Sequence, residues 1–345
     1  MERKERKPVY YSEYLQLDKI LNAQLPESGK EGVRADDEML FIIIHQAYEL
    51  WFKQILHELT IVREIFKQSN IPNNSPDVYN SVHRLKRVCR ILDIAVGQMA
   101  VLETMTPLDF LDFRDLLRPA SGFQSIQFKM IEASLGLAFQ KRHGQNYYLS
   151  QLTPADVERV KKAEAEESLV VLINRWLERM PFIKNRSYWE VANSDKPFWE
   201  QYRAAYESSL LDAEKTNLQG FDALLMNDRD YPQDRTFSAD ANRNALFIML
   251  YRDHPLLHLP YELLSTLLEI DELLSMWRHR HIHMVQRTIG KRVGTGGSSG
   301  AEYLRNAADS HYIFKELAEL TSFLLPRTLL PELPPDLIRD LSYTN

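Results

Sequence analysis

Apolar residues recur three and four positions apart through long stretches of the chain, and no run alternates strictly between apolar and polar. That period belongs to helices with one buried face, so the pattern predicts an all-α fold, a helical bundle. It predicts helices over residues 37–67, 78–105, 125–139, 154–179, 199–225, 241–251, 260–289 and 301–325. The breaks between them carry turn chemistry: SNIPNNSPD at 69–77, RPASG at 118–122 and GKRVGTGGSSG at 290–300. From 142 to 243 the period loosens, and charges mix with aromatics such as Trp189 and Trp199. The whole chain, 1–345, reads as a single domain with a less regular helical insertion at 142–243. The tail at 326–335 is rich in proline and leucine, which predicts an extended strap after the last long helix.

Composition narrows the picture. The 345 residues are 44% hydrophobic and 26% charged, enough apolar matter for a large core and far from the regime of disorder. Only 12 glycines, among many Leu, Glu, Lys, Arg and Gln, favour helix over strand. Forty-two basic and forty-eight acidic residues leave a net charge of −6 with no long block of one sign, so no nucleic-acid partner is expected. The basic N-terminal start has no apolar run behind it, and stretches such as 39–44 are too short to span a bilayer, so no membrane association is expected. The single cysteine, Cys89, excludes an internal disulfide, a four-cysteine zinc site and a C-x-x-C-H haem attachment, and fits a reducing cytoplasm.

The histidines carry the most chemistry. Leu274, Trp277, His281, Met284 and Thr288 share one helical face, which puts His281 on an apolar stripe and turns His279 and His283 away from it. Phe41, His45, Tyr48, Phe52 and Leu59 make a second such stripe around His45. Each of these two is either a core histidine with a hydrogen-bond partner or a ligand, and a haem asks for this setting: one neutral imidazole in a flat apolar pocket. His279 and His283 are four apart but come with no H-E-x-x-H and no carboxylate cluster, so a surface metal site is poorly supported. No histidine has Glu three residues before it, which removes the Glu-x-x-His di-iron pattern.

Other candidates are weaker when taken singly. The stretch from Gly294 to Gly300 lacks the Lys of a phosphate loop and follows no strand, yet it can offer backbone N–H groups and hydroxyls to a charged ligand; a plain surface loop is the alternative. Arg114 stands between Asp112 and Asp115 and reads either as an ion pair or as a planar fork for a substrate carboxylate. The tyrosines of Tyr10–Tyr14 suit either packing or a binding-site wall. Cys89 lies in the basic run RLKRVCR, where a thiolate ligand or nucleophile is the less favoured reading.

Taken together, YSEYLQLDKILNAQ (11–24), LFIIIHQAYELWFKQIL (40–56), LETMTPLDFLDFRDLL with RPASGFQS (102–125) and WRHRHIHMVQR followed by GTGGSSG (277–300) resemble the tryptophan 2,3-dioxygenase family. The resemblance covers most of the chain and is weakest at 142–243. It implies an all-α bundle enclosing a noncovalent b-type haem, with His281 as proximal iron ligand and His45 as the distal residue that accepts a hydrogen bond from the indole N–H. Arg114 matches the residue that binds the substrate carboxylate, and Thr295 the one whose hydroxyl meets the amino-acid head group. Phe41, Phe110 and Leu117 match the indole wall, and Ser121 a position close to haem and substrate. Tyr11 and Tyr14 match tyrosines that complete the pocket of a neighbouring subunit, in a family that is typically a homotetramer.

The implied reaction joins L-tryptophan and O2 to give N-formylkynurenine by opening the indole C2–C3 bond, the first step of tryptophan catabolism by the kynurenine pathway. Ile44, where the family often has a hydroxyl, and His57, where an aromatic is common, bear on fine specificity. Two alternatives share the fold: a haem monooxygenase of an indole, and a haem sensor without turnover, for which an amino-acid clamp of Arg114, Thr295 and two tyrosines has no use.

Overall fold

The computed structural model describes residues 8–69, 71–72, 74–137, 152–185, 188–189, 197–227, 231–290, 292 and 311–342. Its helices are α1 (Tyr11–Leu15), α2 (Leu17–Leu21), α3 (Glu27–Lys30), α4 (Glu38–Phe66), α5 (Pro76–Leu102), α6 (Pro107–Arg114), α7 (Ile126–Leu135), α8 (Pro154–Ala165), α9 (Leu169–Glu178), α10 (Pro181–Lys184), α11 (Phe198–Ser209), α12 (Asn217–Phe221), α13 (Ala239–Leu250), α14 (Pro255–Ile289), α15 (Lys315–Glu319) and α16 (Pro335–Leu341). Among the described residues there is no strand, as the periodicity predicts.

The three long helices form the frame, with α5 packed along both α4 and α14. Helix α5 starts at Pro76, whose missing N–H costs nothing at a first helical position, and Ser75 Oγ accepts from Val78 N at 3.3 Å. Its residues Val78, Val82, Leu85, Val88, Cys89, Leu92 and Ala95 recur on one face and are buried. Truncating fully covered Leu85 to Ala would cost about 2–5 kcal/mol by leaving a cavity. A charged cluster ties α5 to α4: Glu58, 1% exposed, accepts from Arg84 and Arg87, each at 2.8 Å, and from Gln54 at 2.7 Å. Helix α6 opens with a capping box between Thr106 and Asp109, and α7 with Ser125 as its cap. One connected apolar core joins α4, α5 and α14 to Trp176 on α9, Tyr202 on α11 and Phe247 on α13.

Several predicted boundaries differ. The span 154–179 is two helices, because Arg63 donates to Glu167 O at 2.9 Å and pairs with Glu166, so tertiary bonds take up the backbone there. The span 199–225 breaks after Ser209 at extended Leu210 and ends in a wider π turn over Asp222–Met226, where Arg243 Nε donates to Leu225 O at 2.8 Å. Helix α14 begins at Pro255 and carries Pro260 inside it, buried, so packing offsets one missing hydrogen bond. Of the predicted helix at 301–325, residues 301–310 lie outside the described residues, and 311–314 is not helical because Asp271 captures the Ile313 and Phe314 N–H groups at 2.9 and 2.5 Å. The expected strap contains a 3-10 turn at Arg327–Leu329 and leads into α16, whose Leu337 and Leu341 are buried. Among the described residues no helix is long and apolar enough to cross a membrane.

Candidate active site

Helix α4 is covered at Tyr48, Phe52, Ile55 and Leu59 and half-buried at Phe41 and His45, so its apolar stripe runs out of the closed core toward the start of the helix. Phe41 meets the His45 ring at 4.1 Å between centroids, Phe110 at 5.6 Å and Phe113 at 5.5 Å. That brings the start of α4 against α6 and surrounds His45 with aromatic rings. His45 Nδ1 lies 2.7 Å from Phe41 O. A carbonyl only accepts, so Nδ1 carries the proton and the Nε2 of the neutral ring is left as an acceptor. Burial holds His45 below the usual histidine range, against smaller opposing effects of the Phe41 carbonyl and the Glu49 carboxylate, which favours that neutral form.

His281 approaches from α14. Its ring stacks on Trp277 at 5.1 Å, and Trp277 in turn meets Phe128 at 4.7 Å and Tyr48 at 6.3 Å. Burial first, and the neighbouring His45 second, push its pKa down to about 4, so both facing imidazoles are neutral at pH 7. The ring as a whole is half-buried, and among the described residues its covered Nδ1 has no hydrogen-bond partner. A neutral, otherwise uncommitted imidazole between aromatic walls fits the single axial ligand of a haem. His279 and His283 are exposed, and among the described residues no three His, Cys, Asp or Glu side chains converge as a bare metal site needs.

Arg114 ends α6, buried at 4% exposure, one residue after buried Phe113. Asp115, one of the two acids flanking it in sequence, pairs with Arg118 at 3.0 Å. Leu117, half-buried, packs against the core just beyond α6, and half-buried Ser121 caps the next turn, its Oγ accepting from Phe123 N at 3.4 Å. Tyr11 and Tyr14 stand on α1, 75% and 74% exposed. Thr295 lies outside the described residues. Cys89 is buried on α5, its thiol pushed up to about 12 by burial, so a thiolate role is removed.

Phe113 and Glu49 escape a reading of the histidines alone, whereas Trp277 lies on the stripe that carries His281. Phe113 is buried against Phe41 and Phe110, and its three-residue spacing from Phe110 was the available signal. Trp277, four residues before His281, has the spacing that stacks side chains along a helix. Glu49, four residues after His45, accepts from Ser125 Oγ at 2.6 Å and Gln127 Nε2 at 2.7 Å, and so ties the segment beyond Ser121 to α4.

Residues 1–324 match the family profile described as tryptophan 2,3-dioxygenase. A protein of that name from Alteromonas mediterranea is 41% identical over 99% of this chain and 99% of its own. Another from Dictyostelium discoideum is 42% identical over 95% of this chain and 87% of its own, and tryptophan 2,3-dioxygenase B of Danio rerio is 38% identical over 97% and 86%. A match across nearly the full length of relatives from bacteria, an amoeba and a vertebrate leaves one assignment: the chain belongs to the tryptophan 2,3-dioxygenase family.

Proposed function

We propose that this protein is a haem-dependent dioxygenase that opens the indole C2–C3 bond of L-tryptophan with O2 to give N-formylkynurenine. The observation that carries the reading is the pair of neutral imidazoles on two different long helices, one with its Nδ1 committed to Phe41 O and one without a partner. His281 would hold a noncovalent haem b, which would supply the iron chemistry that activates O2. His45 presents the Nε2 lone pair to the indole N–H and fixes the ring's orientation. Phe41, Phe110 and Leu117, with Phe113 behind them, form the apolar wall that accepts indole and excludes water.

Arg114 takes the substrate carboxylate, and its burial raises the value of a bidentate contact. By the family resemblance, Thr295 would meet the amino-acid head group and Ser121 would lie close to haem and substrate. Both atoms of O2 enter the product, so the reaction needs no external reductant once the iron is ferrous. Tyr11 and Tyr14, exposed on α1, complete the pocket of a neighbouring copy in a homotetramer. The chain works as a single domain whose less regular 142–243 insertion shares the common apolar core through Trp176, Tyr202 and Phe221, and the protein works in the cytoplasm, consistent with its lone cysteine.

The test is anaerobic loading with haem, reduction, addition of L-tryptophan and then labelled O2, with the product identified by mass spectrometry. Two labelled atoms in N-formylkynurenine are expected. One atom in a ring-hydroxylated indole would move the protein to monooxygenase chemistry, and haem binding without product would make it a sensor.

A further inference from the structure

Helix α7 touches both histidine helices: its cap Ser125, Phe128 and Glu132 follow the i, i+3, i+7 spacing of a single helical stripe, and Gln127 reaches α4 from beside that stripe. At its start, the cap residue Ser125 receives Phe128 N on its Oγ at 3.4 Å and donates to Glu49 Oε1 at 2.6 Å. Gln127 Nε2 donates to Glu49 Oε2 and to Glu49 O, both at 2.7 Å. These bonds fasten α7 to α4 one turn past His45. In the middle, the Phe128 ring sits 5.4 Å from Phe52 on α4 and 4.7 Å from Trp277 on α14. Two turns along, Glu132 Oε1 accepts from Arg278 Nη2 at 2.7 Å, three residues before His281, with His311 Nδ1 at 3.7 Å. Arg278 Nη1 also donates to His311 O at 2.9 Å.

Glu132 and Arg278 are 4% and 5% exposed. A buried ion pair stabilises a fold no better than apolar side chains of the same size, because both charges give up their hydration. Its use lies in geometry: two groups that must meet at one distance and angle hold two helices in one register. A metal-bound imidazole is sensitive to such outer contacts, whose loss typically weakens binding about 10- to 100-fold.

We propose that α7 is a strut that sets the opening between the His45 and His281 helices, with Glu49 and Glu132 as the positioning residues that lock its two ends. The proposal rests on the haem reading above. Wild type and His281→Ala therefore serve as the control: if wild type takes up no haem, or His281→Ala takes it up equally well, it is the haem reading that fails.

The test uses the full-length protein, with haem titrated into the apo form by Soret absorbance and the iron–imidazole stretch read by resonance Raman on the ferrous form. Glu132→Gln combined with Arg278→Met removes both charges while keeping the volume. This pair is expected to melt at or above wild type, to bind haem about tenfold more weakly and to shift the stretch. Unchanged haem affinity and an unchanged stretch in that folded variant overturn the proposal. Glu49→Ala decides the matter independently should the double variant not fold. It is expected to weaken haem binding about tenfold, and Glu49→Gln, which keeps a carbonyl acceptor, to return it to within about threefold of wild type. Wild-type affinity in Glu49→Ala, or failure of Glu49→Gln to rescue it, removes Glu49 from the strut.

Discussion

Glu49 and Glu58 stand nine residues apart on α4, and at about 100° per residue their side chains leave opposite faces of one helix. Glu58 takes two guanidinium groups from α5, and Glu49 takes a hydroxyl and an amide from the segment after Ser121. Charge meets charge where two long helices must stay together, and neutral donors meet charge where a turn is placed beside the half-buried end of the helix. A single helix thereby separates the positions that supply stability from those that supply geometry. The half-open Phe41–His45 end belongs to the second set, and the closed stretch from Ile55 to Phe66 to the first.

That division is open to attack at four points. The largest effect is expected from His281→Ala: haem occupancy after gel filtration and turnover should both fall by more than about 100-fold, while circular dichroism stays helical. Next comes Arg114→Leu, which should lower kcat/KM for L-tryptophan about 30- to 100-fold, the loss of roughly 2–3 kcal/mol of charge-assisted contact. Tryptamine, which has no carboxylate, should be nearly indifferent to the change; an equal loss for both substrates would remove Arg114 from substrate binding. His45→Ala should keep haem and cost about tenfold in turnover, the worth of one oriented hydrogen bond. Loss of haem as complete as in His281→Ala would refute its orienting role.

The smallest effect tests the scaffold side. Glu58→Gln should leave kcat unchanged and lower stability by about 1–2 kcal/mol in urea melts. It should also alter the acid limb. Burial pushes the Glu58 carboxyl up, but hydrogen bonds from Arg87, Arg84 and Gln54 outweigh it and leave the folded value below the ordinary 4.5. The unfolded chain therefore binds that proton more tightly, so the stabilisation is full above about pH 4.5 and is lost as pH falls through the folded value. Glu58→Gln should flatten the fall of Tm below pH 4.5, and an unchanged slope would show that other carboxylates govern it.

The long helices and the two histidine stripes were legible because each is a local property: a 3.6-residue period along one segment. His281 and His45 fall on half-buried faces, and His279 and His283 on an exposed one, as the period requires. What stayed hidden was tertiary. Nothing local marks Arg278 as buried, since its partner Glu132 lies 146 residues away, and on α14 the deepest stripe runs through Asp271, Leu274, Arg278 and Ile282, beside the one that carries His281. The breaks at 166–168 and 311–314 have the same origin, a distant Arg63 or Asp271 capturing backbone groups that a helix would otherwise use. Phe113 and Glu49 acquire their meaning only once α4 meets α6 and α7. The indole-wall and carboxylate-binding roles proposed for Phe110 and Arg114 come from the family motif, because spacing alone made an ion pair the default reading of Arg114.

The place of Cys89 bears on how the protein survives its own chemistry. Burial pushes the thiol up to about 12, so it stays protonated near neutral pH and lacks the thiolate that peroxide attacks. With its Sγ turned toward Thr266 O at 3.8 Å inside the frame, the one sulfhydryl offers stray oxidants neither charge nor access. A protein that handles O2 in this way should tolerate oxidative stress at its thiol, and its ageing in storage should be read from methionine sulfoxide rather than from mixed disulfides.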